Sequence, residues 1–490
     1  MKSNISQNII LFLSALLLII APLFRAANRP LPLLILEVLG LGLLLTILWN
    51  NEYKGKIPIY IWGLLLIIII APALYLIPLP ESFASLLSNR ELYQSVLQWV
   101  ATNSSVDIPR QTLSLIPEKT IDSLLTLIPV FAIFVATMSL TTDKAKRLVY
   151  IFLGMVAIEV IIAIAQFTNG SDALYFGMKN AHNAQGTYPN RDHFAGLIEM
   201  SLPLTIALLA ISFSPKNKKY QADDLFMRLA SHETLILASL AVLMLLAAIF
   251  SKSRTGIFLV LLGILISSLS FARHIGGRQS IGVMASLSTV GIGIAFSVGI
   301  IPVINRFIAN DPLEDGRKEI FNHTIEAIKQ FYPLGTGVGT FPNVYRAFQP
   351  IEQTHFINNA HNDYLELFLE MGVVGALLLC AFFIIYLIAW TKVLRTAWLR
   401  FRYIQMGAGI GMFLLLLHGF SDFNFHIPAN VIFFAFLAGL FFHQPEKDKP
   451  VHEHIRCSKR RMKNPIGERS GMLHASKEIR KDRKKNPFSN

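Results

Sequence analysis

Charged residues are scarce in this chain. Only 15% of its 490 residues are Asp, Glu, Lys or Arg, where a soluble protein carries roughly 25%. Cysteine is scarcer still, with Cys380 in an apolar run and Cys457 close to the C-terminus. Two such distant thiols make no disulfide framework. Amphipathic spacing is also missing from most of the chain, and apolar residues come in blocks. No internal repeat is visible, and no low-complexity run apart from the Lys/Arg-rich end. These absences exclude an ordinary soluble enzyme, a disordered chain and a fibrous protein. What is present in abundance is apolar surface: 53% of residues are hydrophobic and the mean hydropathy is +0.50. The composition is that of an all-α polytopic membrane protein.

A bilayer core takes about 20 apolar residues as a helix. Twelve candidate spans follow, at 8–24, 31–49, 57–77, 120–140, 148–167, 193–213, 234–250, 256–272, 281–304, 364–390, 404–420 and 429–443. Lys and Arg set the orientation. With the N-terminus inside, short inner segments hold 16 basic residues against 9 in short outer ones. Both termini are therefore expected in the cytoplasm. The first span is expected to be an uncleaved helix, because eleven more follow it. Net charge is +13, of which +8 lies in Glu446–Asn490. A basic tail of this kind suits anionic lipid better than a nucleic-acid groove. Residues 445–490 are expected to form a disordered cytoplasmic tail, and residues 1–444 the membrane domain. No nucleic-acid partner is expected. The largest outer segment, 305–363, lies between spans nine and ten and is expected to hold short helices.

Ionisable groups inside a membrane are costly and usually face a cavity or a partner. Glu37, Glu199 and Glu370 each lie six residues into a span from its outer end, roughly 9 Å deep. Glu159 is deeper. His418 lies near the outer end of span eleven, with Asp422 just beyond it. The pattern suggests one outward cavity, although single glutamates could instead bridge helices.

Four segments carry chemistry. Ser251-Lys-Ser-Arg-Thr-Gly256 puts two cations and three hydroxyls between spans seven and eight. Arg254 offers a donor fork suited to phosphate oxygens, while simple snorkelling to lipid is the plainer reading. Lys318–Phe331 has helical spacing and would place Arg317 in the first turn, where a cation opposes the helix dipole. A carboxylate or ligand partner for Arg317 would relieve that, and Glu314 or Asp315 is near enough to serve. Pro333-Leu-Gly-Thr-Gly-Val-Gly-Thr-Phe341 lacks the strand–helix context and the lysine of a nucleotide loop. It reads as a tight glycine turn that allows close backbone approach. His361-Asn-Asp-Tyr-Leu-Glu-Leu-Phe-Leu-Glu370 opens span ten. Asn362, Glu366 and Glu370 fall on one face at spacing four, and His361 at the mouth suits a general base or a charge partner. A lone histidine there could also be a cap. His452-Glu-His454 in the tail is too sparse for a metal site.

On these residues the chain resembles the O-antigen ligase and polymerase superfamily of bacterial membrane glycosyltransferases. The resemblance rests on Ser253-Arg-Thr-Gly256, on Gly316-Arg317 followed by Pro333-Leu-Gly-Thr-Gly-Val-Gly, on His361-Asn-Asp-Tyr-Leu-Glu…Glu370-Met-Gly-Val-Val-Gly, and on Asn190-Arg-Asp-His-Phe-Ala-Gly196. It covers about 180–430. Phe321 stands near a place where relatives often carry tryptophan, and the basic tail is not a family feature.

The resemblance implies a metal-independent, cofactor-free transferase in the bacterial inner membrane. Its donor would be a glycan on undecaprenyl pyrophosphate at the outer face. Its acceptor would be a hydroxyl of another glycan or of lipid A–core, so that polymerase and ligase both remain open, as does a protein O-glycosyltransferase. His361 is the candidate catalytic residue. Arg254 and Arg317, with Lys252 in support, are candidates for the pyrophosphate. Asn362, Glu370, Glu199, Arg191 and Tyr188 are candidates for support. The competing reading is a secondary transporter of a polar or anionic solute. That class is often built from inverted repeats with interrupted spans at the midplane, and neither feature is visible. A structural or assembly protein is the third reading, and it has no need for Arg254, Arg317 and His361 to converge.

Overall fold

Lipid offers the backbone no hydrogen-bond partner, so a spanning segment must satisfy its own N–H and C=O groups. The protein is accordingly helical. The computed structural model describes residues 2–49, 57–80, 90–104, 111–169, 183–213, 231–272, 312–396 and 398–445. Among them, β-type pairing is limited to a single antiparallel bridge between Pro78 and Thr112. Beside two short turns of helix at Leu23–Ala26 and Asn424–His426, the helices of the described residues are, in chain order, α1 (Lys2–Ile20), α2 (Pro30–Trp49), α3 (Ile59–Leu74), α4 (Glu91–Asn103), α5 (Pro117–Ser139), α6 (Thr142–Asn169), α7 (Arg191–Phe213), α8 (His232–Ser251), α9 (Arg254–Ala272), α10 (Pro312–Phe331), α11 (Phe341–Tyr345), α12 (Asp363–Arg395), α13 (Arg400–His418) and α14 (Pro428–Phe442). All fall in the unit Met1–Gln444.

Eight of these, α2, α5–α9, α12 and α13, are long and apolar enough to cross a membrane, and α1, α3 and α14 are shorter apolar helices. Together they coincide with eleven of the twelve expected spans. The span at 281–304 lies outside the described residues, as do 305–311 and the tail 446–490.

Helix α7 is the axis of the bundle. It is buried along its whole apolar length and packs against α6, α8, α9, α13 and α14. Between membrane helices, small residues let backbones approach closely. A Cβ on Gly407 would sit 2.7 Å from the Pro203 carbonyl oxygen, and one on Gly411 2.6 Å from that of Met200. Helices α2 and α12 lie at the other extreme. They expose Leu31, Leu34, Val38, Leu45, Leu377, Ile384 and Leu387, an apolar surface that suits acyl chains and would be a liability in water.

Helix α12 is interrupted. Gly372 adopts φ 51°, ψ −133°, which an L-residue rarely tolerates. The break frees carbonyls that would otherwise accept from the next turn. The glycine segment takes them: the Thr336 N–H donates to the Leu369 and Glu370 carbonyls at 3.1 Å, and the Gly337 N–H to Glu370 at 2.7 Å. Val373 donates in return to the Pro333 carbonyl at 2.9 Å. Gly335, at φ 78°, has no room for a Cβ, which would lie 2.7 Å from Glu370 backbone atoms. The turn therefore does allow close backbone approach, as its composition indicates. Buried Arg90 donates to the Gly335 carbonyl at 2.7 Å, and Tyr75 Oη to that of Leu334 at 2.6 Å. The chain before α5 thus grips the same wedge.

Candidate functional site

Four helix N-termini, those of α7, α9, α12 and α14, meet around the nine residues Gly419–Ile427 that join α13 to α14. Local sequence sets each start. Asn190 Oδ1 accepts the Asp192 N–H at 3.0 Å ahead of α7. Ser253 Oγ accepts the Gly256 N–H at 3.1 Å in the first turn of α9. Asn362 Oδ1 accepts the Tyr364 and Leu365 N–H groups, both at 3.0 Å, as the cap of α12. Asx and serine side chains at such positions satisfy donors that the helix leaves unpaired. Pro428 stands at the first position of α14, where its missing N–H costs nothing.

The connecting loop is stitched to three of these helices. Ser421 Oγ donates to Thr255 Oγ1 at 3.1 Å. Asn362 Nδ2 donates to the Phe420 carbonyl at 2.9 Å, and the Asp363 N–H to that of Gly419 at 2.9 Å. Asn430 Nδ2 donates to the His193 carbonyl at 3.0 Å and to Asn424 Oδ1 at 2.8 Å.

At the centre is Asp422, whose side chain is 1% exposed. Its Oδ1 lies 3.1 Å from His361 Nδ1, and its Oδ2 lies 3.6 Å from His193 Nε2. The Phe423 ring stands edge-on to both imidazoles, at 4.6 Å from His193 and 4.8 Å from His361. Burial alone would raise the Asp422 carboxyl, but the imidazoles of His193, His361 and His418 outweigh it and hold the group below the usual carboxylate range. His361 keeps 27% of its side chain exposed. Its backbone sits at φ 52°, a conformation that costs a non-glycine residue roughly 1 kcal/mol or more. The cap below it and Asp422 above it hold it there.

A second histidine clamps the same loop. His426 Nδ1 lies 2.9 Å from Asp363 Oδ1, and Nε2 lies 3.1 Å from Glu366 Oε1. Burial pushes His426 down, but Glu366, Asp363 and Glu370 push it further up, to about 10. It is a cation at neutral pH and ties the Asp422 loop to α12.

Arg317 reaches the cluster from α10. The helix starts at Pro312, so Arg317 is its sixth residue and not in the first turn as its spacing suggested. Proline is favoured at a first helical position, and that moves the start upstream. The expected carboxylate partner exists, but it comes from α7: Arg317 Nη2 lies 3.6 Å from Asp192 Oδ2, next to His193. Arg254 opens α9, immediately before the Thr255 that meets Ser421. Gly256 brings that start against α7, since a Cβ there would meet Ala195. Arg254, Arg317 and His361 thus stand one residue, or one side-chain link, from Asp192 or from Ser421-Asp422. Lys252 ends α8 at φ 57°, with its ammonium 5.7 Å over the Phe167 ring.

The remaining expected residues have defined places. Glu199 is fully buried with Oε1 2.9 Å from His418 Nδ1, a bridge between α7 and α13. Glu370 Oε1 accepts the Phe341 N–H at 3.0 Å and so holds the start of α11. Tyr188 is wholly buried, and its Oη lies 2.9 Å from Asn430 Oδ1. Arg191 is half-buried at the first position of α7. In the sequence, Asp192 and His193 were included in the motif 190–196 without a role for either, His426 was missed, and Asp422 was noted only for its depth. One signal could have found the loop: Ser421-Asp-Phe-Asn-Phe-His426 packs four polar residues between two apolar spans. Among the described residues no group of three or more His, Cys, Asp or Glu is arranged to hold a metal ion.

Residues 239–380 match the family model described as O-antigen ligase. The match bears out the resemblance to the O-antigen ligase and polymerase superfamily, and it spans Arg254, Arg317, the glycine wedge, His361 and Glu370. No curated protein matches the chain.

Proposed function

We propose, from the O-antigen ligase match and the geometry around Asp422, that this multi-pass membrane protein is a glycosyltransferase. It passes a glycan from undecaprenyl pyrophosphate to an acceptor hydroxyl, as a polymerase or ligase of envelope polysaccharide. The observation that carries the reading is His361, part-exposed at the mouth of α12 and held at Nδ1 by a buried, ionised Asp422.

An anionic carboxylate can only accept, so His361 Nδ1 carries the proton and Nε2 keeps its lone pair. Nε2 is then the base for the acceptor. The acceptor oxygen attacks the anomeric carbon of the donor sugar and forms the new glycosidic bond. The bond from that carbon to the pyrophosphate oxygen breaks, and undecaprenyl pyrophosphate leaves with the electron pair. The hydroxyl proton passes to His361 Nε2, and Asp422 stabilises the imidazolium. The leaving group gathers negative charge, which fixed cations and aligned N–H dipoles stabilise best in a water-poor site. Arg254 and Arg317 supply planar donor forks, with Lys252 in support, and four helix N-termini gather around the same loop with their partial positive charge. Asn362, Glu370, Glu199 and Tyr188 hold these elements together, and Arg191 lies beside the donor or acceptor. The scheme asks for no metal and no cofactor.

The topology that goes with this reading has twelve spans, with 281–304 as the ninth. Both termini lie in the cytoplasm, and 305–363 lies on the outer face of a bacterial inner membrane. Residues 445–490 form a separate basic tail.

The test is release of undecaprenyl pyrophosphate by purified protein given lipid-linked oligosaccharide and host acceptors. Release that His361→Ala and Arg254→Ala both lose would support the transfer, and the length of the glycan product would separate a polymerase from a ligase. No release by folded wild type with matched donor would overturn it.

A further inference from the structure

His193 has no task in the scheme above, yet its surroundings are unusual for a core histidine. It is the third residue of α7, 2% exposed. Neither ring nitrogen has a hydrogen-bond partner among the described residues, and neither has Asp422 Oδ2, 3.6 Å from His193 Nε2. Two buried polar atoms of complementary type therefore face each other just beyond direct bonding distance. The backbone at this point is rigid. The His193 carbonyl accepts from Asn430, which Tyr188 and Asn424 hold in turn. The Phe423 ring closes the space between His193 and His361. The other charged or titratable groups that act on His193 are Asp192 on its own helix, His418 from α13 and His361 from the start of α12. His418 is already engaged with Glu199, and Asp192 with Arg317.

A buried carboxylate has two oxygens to satisfy. Oδ1 has His361. An Oδ2 left bare would carry a large desolvation cost, met by taking up a proton or by turning away. Either response removes the acceptor that fixes the His361 tautomer. The Nε2–H of His193 is the donor placed to prevent this, directly after a small closure or through one bridging water.

We propose that His193 is a positioning residue for the transfer. Its Nε2–H holds Asp422 Oδ2, which keeps the carboxylate ionised and aimed at His361 Nδ1 and so leaves His361 Nε2 free for the acceptor hydroxyl. The inference rests on the glycosyltransferase reading and adds to it a residue that lies outside the matched span 239–380.

The experiment uses the full chain in proteoliposomes with lipid-linked donor and acceptor, and follows undecaprenyl pyrophosphate release across pH for wild type, His193→Phe and His193→Gln. Phenylalanine keeps the planar bulk and removes the donor. Its kcat is expected to fall at least tenfold, within the usual range for acid–base positioning, with KM within about twofold. The acid limb of its pH profile should move up, because a buried carboxylate that has lost a donor takes up a proton more readily. Glutamine returns an N–H donor near the Nε2 position and should recover most of the rate and the wild-type limb. In an Asp422→Asn background, His193→Phe should cost nothing further, since its effect passes through that carboxylate.

A phenylalanine variant with wild-type rate and profile would overturn the inference. So would an equal loss in the Asp422→Asn background, or a glutamine variant as impaired as the phenylalanine one. If His193→Phe does not fold, His193→Met lacks the donor but adapts to the space, and the same criteria apply to it. Absence of release by wild type would instead defeat the glycosyltransferase reading, a distinct outcome.

Discussion

Asp422 Oδ1 and His361 Nδ1 lie 3.1 Å apart, although the two membrane helices α12 and α13 separate these residues in the chain. The pair forms because α13 runs back beside α12 and its connection to α14 folds over the α12 cap. Asp422→Asn would keep the shape and remove the charge. An amide can present either its oxygen or its NH2 group to His361, so the tautomer is no longer fixed. The expected loss in kcat is about a hundredfold or more, with KM nearly unchanged. Initial rates of undecaprenyl pyrophosphate release at saturating and limiting donor check it.

Arg317 and Asp192 form a part-exposed pair, which contributes at most about 1 kcal/mol to stability. Arg317→Ala should leave the unfolding temperature almost unmoved. If Arg317 serves the leaving pyrophosphate, the same change should lower kcat by about a hundredfold to a thousandfold. Arg317→Lys should recover only part of this, because a point charge does not replace a planar fork. Thermal unfolding in detergent, run beside the release assay, separates the two effects.

Glu199 and His418 bridge α7 and α13 with no exposure to solvent. Removing one partner strands the other, at a cost of about 3–5 kcal/mol. Glu199→Leu and His418→Leu should each lower the unfolding midpoint strongly. The double variant Glu199→Leu/His418→Leu should be more stable than the sum of the two single losses implies. A double-mutant cycle by thermal or denaturant unfolding measures that coupling.

His426 has a pKa raised to about 10 in the folded protein against an ordinary value of 6.5. A group whose pKa rises on folding stabilises the native state fully below the unfolded value and loses that contribution as pH climbs through the folded one. Stability should therefore fall between about pH 6.5 and pH 10. His426→Gln should be less stable than wild type at pH 7 and should flatten that slope. Melting temperature against pH is the measurement.

Gly335 combines φ 78° with a 2.7 Å approach to Glu370. Gly335→Ala should destabilise by about 1–3 kcal/mol through strain and displaced packing. Activity should fall with it, since the wedge supports α12 a few turns below His361. Gly42→Ala, where a Cβ meets nothing within 4 Å, is the matched control and should change little.

What could be read from the chain alone follows from constraints that act locally. Spanning segments need about 20 apolar residues and internal backbone bonding, so helices such as α2, α7 and α12 stand where hydropathy puts them. The crowded glycines of the wedge were legible for the same reason, because they serve a backbone that must come close, whereas the cap suggested for His361 is made by Asn362 instead. The start of α10 was misplaced because a proline six residues upstream outweighs helical spacing that begins only at Lys318. The residues that surround His361 were a different matter. Asp422, His193, Asp192 and His426 each take their meaning from a partner on another helix. Burial and charge at those positions depend on which helices pack together, and that is decided by contacts such as Gly407 and Gly411 against α7. A glutamate or histidine inside an apolar run announces that it must have a partner. Only the packing of α7 against α9, α13 and α14 decides which one, because the cost of a buried charge is relieved by whichever group the fold brings within a few ångströms.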